Sequence, residues 1–513
     1  MDKIEILENE YWWAGCIKHG HTMPYSRDTK DGSIDMYGDF NTDQFSPLLV
    51  SSLGRYYWNE EAFKGTVNDG VITLETSADG ELHEGYENLR GAYLAAMKAH
   101  FPFTGAMPDK SFFTGPQYNT WIELSVDQCQ DGIIKFAEDI IANGFTPGVL
   151  MIDGGWQEDY GVYDYFNERK VPHPKEMVDR LHELGFKVML WVSPIVSLAG
   201  WRYKELRDKR YLCMRADGKQ PAIREWWSGY CSVMDLTNPG CCEWFHGVLD
   251  HMIKDYGVDG FKFDAGDLSF YSDDDKIFKP MSAREQTKAF VEFGEKYPFN
   301  EFRAAWKCGG HPIIARLHDK SHSWTQYGIN TLIPHTILQG LAGYPYCCPD
   351  MVGGGGGGGV PGTLDNGVEF DQELYVRWIQ SNALTAMMQI SIAPWRVLSE
   401  ENYKIARDCI ELHEKYGETF YELGVNASKT GEPIIRHLCY EFPGQGFETI
   451  NDQFMLGSDV LVAPVIIKGQ RTRDVVLPAG CKWISDEGKE YDGGQTITEN
   501  VPLSRLAYYT RVK

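Results

Sequence analysis

Between Trp121 and about residue 400, short uninterrupted apolar runs alternate with segments whose apolar residues recur at helical spacing. "TPGVLMID" reads as a buried strand, "KEMVDRLHELGF" as a helix, "KVMLWVSP" as a strand, "CCEWFHGVLDHMIKDYGV" as a helix and "VDGFKFDAGD" as a strand. Strands fed by helices of this length must lie parallel, and their number over about 300 residues predicts an α/β fold built on a (β/α)8 TIM barrel. The chain has 513 residues, more than one hydrophobic core can hold, so further domains are expected. Residues 1–117 carry alternating runs and turns ("SPLLVSSLGRYYW", "GVITLETSADGEL") and read as an N-terminal β domain. Residues 118–410 read as the barrel and 411–513 as a C-terminal β-sandwich, through "FMLGSDVLVAPVI" and "LSRLAYYTRV".

The predicted barrel strands end on polar residues: Asp153, Ser193, Asp264 and Asp350. A lone strand-end Asp is most simply a turn or helix cap, but several in register at one mouth read as a site, because barrel sites are built at the C-terminal ends of the strands. Lys262 and Asp264 lie two residues apart and so share a face of their strand. Seven consecutive glycines, Gly353–Gly359, follow Asp350 and read equally as a lid or a plain loop. The net charge of −24 repels phosphate backbones and anionic lipid, so nucleic acid and membrane surfaces are not expected partners; a neutral ligand fits. No basic-then-apolar leader opens the sequence and no apolar run reaches 18 residues, which predicts a cytoplasmic protein; the twelve cysteines read as buried, reduced thiols. A homo-oligomer is compatible with the sequence, which leaves the oligomeric state open.

Cleavage of a glycosidic bond uses two carboxyl groups, one to attack and one to protonate the leaving oxygen. With Asp264 as one, the downstream candidates are Asp267, Asp319 and Asp350; Asp319 lies in "ARLHDKSHSW", expected as a loop after the strand around "EFRAAWK".

Here the chain resembles glycoside hydrolase family 31, retaining enzymes acting on α-linked sugars. "QFMLGSDVLVAPVIIKGQRTRDVVLPAGCKW" carries the resemblance best, and "GVLMIDGGW", "GFKVMLWVSPIVS", "MDLTNPGCCEWF" and "YGVDGFKFDAGD" follow in the family's order. The resemblance implies Asp264 as nucleophile, Asp319 as acid/base, and Asp153 and Asp350 as holders of sugar hydroxyls. The family's "RWxGD" context is absent, and "AAWKCGGHPIIARLHDKSHSW" stands in its place, as in a divergent subgroup that includes α-galactosidases. The usual Trp two before the nucleophile is replaced by Lys262, and the family's sugar-binding His strand by "QISIAPWRV", with Ser391 and Trp395. α-Galactosidases of families 27 and 36 carry Lys-x-Asp at the equivalent place, where Lys contacts galactose hydroxyls; the alternative is that Lys262 only neutralises Asp264 or Asp153. Trp156, Trp191, Trp306 and Trp395 are candidates to stack on sugar rings, and Lys307 and Arg316 to bind hydroxyls. Arg316 and Lys320 are expected to point away from Asp319 or toward substrate, since cations beside it oppose its protonation. The mechanism needs no metal and no cofactor, and the histidines near 19 and 318 read as hydrogen-bonding groups. An α-galactosidase is the leading expectation; an α-glucosidase, an α-xylosidase or a catalytically silent carbohydrate-binding relative stay open.

Overall fold

A computed structural model describes residues 1–38, 42–355 and 370–512. Eight parallel strands form its centre: β1 (Gln117–Asn119), β2 (Val149–Ile152), β3 (Lys187–Val192), β4 (Gly260–Phe263), β5 (Phe299–Phe302), β6 (Ile314–Arg316), β7 (Cys347–Cys348) and β8 (Gln389–Ile390). Each pairs with its sequence neighbour, and β8 returns to β1. A parallel bridge between Met351, just past β7, and Gln389 of β8 closes the ring. The expected barrel is therefore present.

Alternation along β4 explains why a lysine interrupts an apolar strand. Phe261 and Phe263 face outward, where Phe263 stacks on Phe302 at 4.8 Å and Phe261 meets Tyr297 at 5.1 Å. Lys262 faces inward, into a polar interior it shares with Glu301 and Gln389, whose Nε2 donates to Glu301 Oε2 at 2.7 Å. The surrounding helices bury one stripe each; in Gln130–Ala142 it is Ile133, Phe136, Ala137 and Ile140. Ser282 caps Ala283–Gly294 by accepting from Glu285 N, and Asn238 with Pro239 opens Pro239–His251.

The N-terminal region forms two antiparallel sheets plus a helix, Leu89–His100. One of its strands, Gln44–Ser51, also takes a parallel partner from the barrel segment, Ala305–Trp306. The C-terminal region is a six-stranded antiparallel sheet, Ile435 to Val512, beside the ribbon Thr472–Leu477 and Gln495–Asn500.

Two local expectations change. Residues after 400 begin with two helices, Glu400–Lys415 and Gly417–Thr430, before any strand. Asp319 does not follow the strand around "EFRAAWK": that segment supplies β5 and the shared strand, and the short β6, hidden in the glycine- and proline-bearing "GGHPIIAR", intervenes. Among the described residues no helix is long and apolar enough to cross a membrane. Most of the glycine run, residues 356–359, lies outside the described residues.

Candidate active site

The mouth of the barrel gathers the carboxylates of four strand ends. Lys262 Nζ donates to Asp153 Oδ2 at 2.7 Å across β2 and β4, with both side chains about 5% exposed. Burial alone would lower the Lys262 ammonium, but Asp153 beside it holds it above its usual range. Asp264 accepts from Trp191 Nε1 of β3 at 2.9 Å on one oxygen and from Arg303 Nε at 2.9 Å on the other. Burial would raise this carboxyl, yet Arg303, Lys262 and Arg316 together hold it far below the usual carboxylate range. It is thus an ionised group, fixed in orientation, in a recess that keeps it about 15% exposed. That suits attack on an electrophilic carbon.

Arg303 also reaches Asp267 Oδ2 at 2.7 Å, while the other Asp267 oxygen is buried without a hydrogen-bond partner; burial pushes this carboxyl up to about 6. Asp267, a candidate second carboxyl in the sequence, thus sits beside the nucleophile on the same arginine, while Arg303 itself escapes a strand-end reading because it lies just beyond β5.

Arg316 is wholly buried and forms the second hub. Its Nη1 lies 2.7 Å from Asp319 Oδ1 and 2.9 Å from Asp350 Oδ1, and its Nε is 3.2 Å from Glu301. The expectation that Arg316 points away from Asp319 is overturned: three residues separate them past a strand end, and the guanidinium fork curls back onto the carboxylate. Burial raises Asp319, but Arg316, Arg303 and Lys262 together outweigh it and hold the carboxyl below its usual range. Asp350 is buried, and this pushes it up to about 7 despite Arg316. It sits at φ 75°, a left-handed conformation that turns its carboxyl inward. Lys320 does point away, its ammonium 2.8 Å from His335 Nδ1.

The tryptophans divide. Trp191 lines the mouth through its bond to Asp264. Trp156 is completely buried, with its indole on the Trp191 carbonyl, so it supports Trp191 rather than offering a face. Trp306 packs on Phe45 and bonds Glu285, and Lys307 Nζ caps the Glu60 carbonyl at 2.9 Å; both face the seam with the N-terminal sheets. Trp395 packs against Phe136 and Phe145 on the outer layer of the barrel. The structure therefore brings together Asp153, Trp191, Lys262, Asp264, Arg316, Asp319 and Asp350, and sends Trp156, Trp306, Lys307 and Trp395 to packing duties.

Asp43, His318 and His335 place three donor atoms within 4.8 Å of one another. Hydrogen bonds already engage the ring nitrogens that face the cluster: His318 Nδ1 meets Asp43 at 2.6 Å, and His335 lies between the Lys320 ammonium and His21 Nδ1, the latter at 3.3 Å.

Residues 114–423 match the TIM-barrel domain of glycosyl hydrolases family 31, and residues 431–512 match the family's C-terminal domain. The chain is 32% identical over 421 residues to myogenesis-regulating glycosidase of Mus musculus, covering 81% of this chain and 58% of that protein. It is 23% identical over 513 residues to alpha-xylosidase XylQ of Lactiplantibacillus pentosus, covering 94% of this chain and 64% of that one. The chain thus spans less than two thirds of the length of these relatives. The Flavobacterium johnsoniae dextranase FjDex31A, solved with glucose, superposes with a TM-score of 0.83 at 23% identity, over 99% of this chain and 66% of that one. An α-xylosidase from a soil metagenome, solved with xylose, gives 0.82 at 21% identity, over 99% and 79%. With both domains matched in order over most of its length, the chain belongs to glycosyl hydrolase family 31.

Proposed function

We propose that this chain hydrolyses terminal α-linked glycosides with net retention, and that α-galactosides are its preferred substrates. The observation that carries the sugar preference is the buried Lys262–Asp153 pair, which joins the strand of Asp264 to the end of β2, two strands away. An ammonium with one donor spent on Asp153 has two left for hydroxyl oxygens, and Asp153 can accept from a third hydroxyl. The larger apolar Trp of the family's glucosidases would offer neither.

In the first step Asp264 attacks the anomeric carbon, the glycosidic C–O bond breaks, and Asp319 gives its proton to the departing oxygen. In the second, Asp319 takes a proton from water, whose oxygen attacks the anomeric carbon and frees Asp264. A sugar filling the mouth strips water from Asp319 and presses it against the Asp264 charge. Both effects raise its pKa and load the proton against the pull of Arg316.

A second reading, an α-xylosidase, is favoured by the relatives that carry that name. Initial rates on p-nitrophenyl α-galactoside, α-glucoside, α-xyloside and N-acetyl-α-galactosaminide decide between them. The galactoside is expected to lead; a winning xyloside or glucoside returns Lys262 to charge balance, and no turnover of any leaves a silent carbohydrate-binding relative.

A further inference from the structure

The chain from Ala315 to Lys320 is gripped on either side of Asp319. Ala315 O accepts from Gln339 and Arg316 O from Gln44, each at 2.9 Å, and Leu317 N donates to Cys348 O at 2.9 Å. Lys320 N donates to Asp350 Oδ2 at 2.8 Å. His318, immediately before Asp319, is held twice by one carboxylate: its backbone N–H donates to Asp43 Oδ1, and its ring Nδ1 lies 2.6 Å from Asp43 Oδ2. Asp43 is about 1% exposed and opens the N-terminal strand Gln44–Ser51, so the group fixing this loop comes from outside the barrel segment.

We propose that Asp43 is a positioning residue for catalysis: by clamping both the backbone and the ring of His318, it sets where the next residue, Asp319, presents its carboxyl to the leaving oxygen. The proposal rests on the reading of Asp319 as the acid/base. A carboxylate with two oxygens on two donors of one residue fixes position and rotation together, which a single hydrogen bond does not. Lys320, His335 and Lys18 also act on the clamp through their charge or dipole, and hydrogen bonds run on from Lys320 through His335 to His21 of the N-terminal region. Among the described residues Arg316 is the one hydrogen-bond partner of the Asp319 side chain, so its aim depends on the residues either side of it.

The test separates aim from folding by leaving group. kcat/KM reports the steps through formation of the glycosyl enzyme, which need a proton for a poor leaving group such as methoxide but not for fluoride. In full-length protein, using the sugar that wild type turns over best, Asp319→Ala should first show the pattern: a large loss on the methyl α-glycoside and little on the α-glycosyl fluoride. If both substrates fall alike in that variant, Asp319 is not the acid and the proposal loses its object. Given that pattern, Asp43→Asn, which keeps one acceptor of two, and His318→Leu should each lower kcat/KM on the methyl glycoside about tenfold or more while leaving the fluoride within about twofold. His318→Asn, whose amide nitrogen can take the place of Nδ1, should recover most of the loss, with circular dichroism confirming the fold of each variant. Parallel losses on both substrates, or no loss on either, in whichever of these variants folds, would overturn the clamp as a device for aiming Asp319.

Discussion

Asp319 and Asp350 share one nitrogen of one arginine: Arg316 Nη1 lies 2.7 Å from the first carboxylate and 2.9 Å from the second. Burial separates their behaviour. Asp319 reaches the open mouth, with its side chain 46% exposed, while Asp350 has no exposure at all. The guanidinium therefore keeps Asp319 ionised, and the proton of the pair resides on Asp350 near neutrality.

This arrangement predicts how stability changes with pH. A folded-state pKa of about 7 for Asp350, against an ordinary 3.8, means that the fold binds a proton which the unfolded chain has already released. Asp350's own contribution to stability should fall as pH rises from about 4 to 7, whereas buried His413 and His437, both lowered to about 4, contribute in the opposite sense. Asp267, raised to about 6, adds to the Asp350 slope. Asp264 and Asp319, both lowered, act in the opposite sense and only at lower pH, where their protonation costs stability. Urea midpoints of Asp350→Asn relative to wild type should rise with pH across this window; a constant difference would contradict the assignment.

Asp264→Ala should reduce kcat by on the order of 10⁴-fold, because loss of a nucleophile leaves only binding and the remaining electrostatics. The fold should survive, since Arg303 keeps a carboxylate partner in Asp267. Trapping with a 2-fluoro glycosyl fluoride followed by intact mass should label wild type and not the variant.

Arg303→Gln removes the first cation acting on Asp264, with Lys262 and Arg316 left. The Asp264 carboxyl should then titrate higher, so the acid limb of the kcat/KM profile moves to higher pH. An unmoved limb would mean that Lys262 and Arg316 suffice to hold the nucleophile ionised.

Lys262→Met strands Asp153 as a buried carboxylate without its cation. Breaking such a pair typically costs about 3–5 kcal/mol, read as a lower denaturation midpoint. If the ammonium also recognises the sugar, galactoside turnover should fall more than that of the other α-glycosides; an even loss would mark a purely structural pair.

Gly266→Ala probes the turn behind the nucleophile. Gly266 has φ +72°, and a Cβ there would come 2.4 Å from Phe290 Cδ1. Backbone strain and overpacking together should cost about 1–3 kcal/mol and lower the melting temperature.

The alternation of Phe261, Lys262, Phe263 and Asp264 was legible as a strand with a polar inner face, and the strand-end aspartates were legible as a mouth. The two arginines were not, for different reasons. Arg316 was seen but aimed wrongly, because a side chain curling back past the end of a three-residue strand leaves no mark on sequence spacing. Arg303 was missed because its partner Asp264 is 39 residues away, and only the parallel pairing of β4 with β5 makes them neighbours. The tryptophans show the limit of composition: ring-stacking chemistry is the same for Trp191 and Trp306, and only the fold decides that one faces the mouth and the other the seam.

The strand Ala305–Trp306 leaves the barrel segment to lie alongside Gln44–Phe45 of the N-terminal sheet. The catalytic segment is consequently not a detachable part. A construction that starts the chain at the barrel would leave this strand with its hydrogen-bonding edge bare, an invitation to intermolecular pairing. It would also bare the Trp306 face that Phe45 now covers. For anyone building chimaeras in this family, the transferable unit is the N-terminal sheets and the barrel together, with crossover points placed outside both.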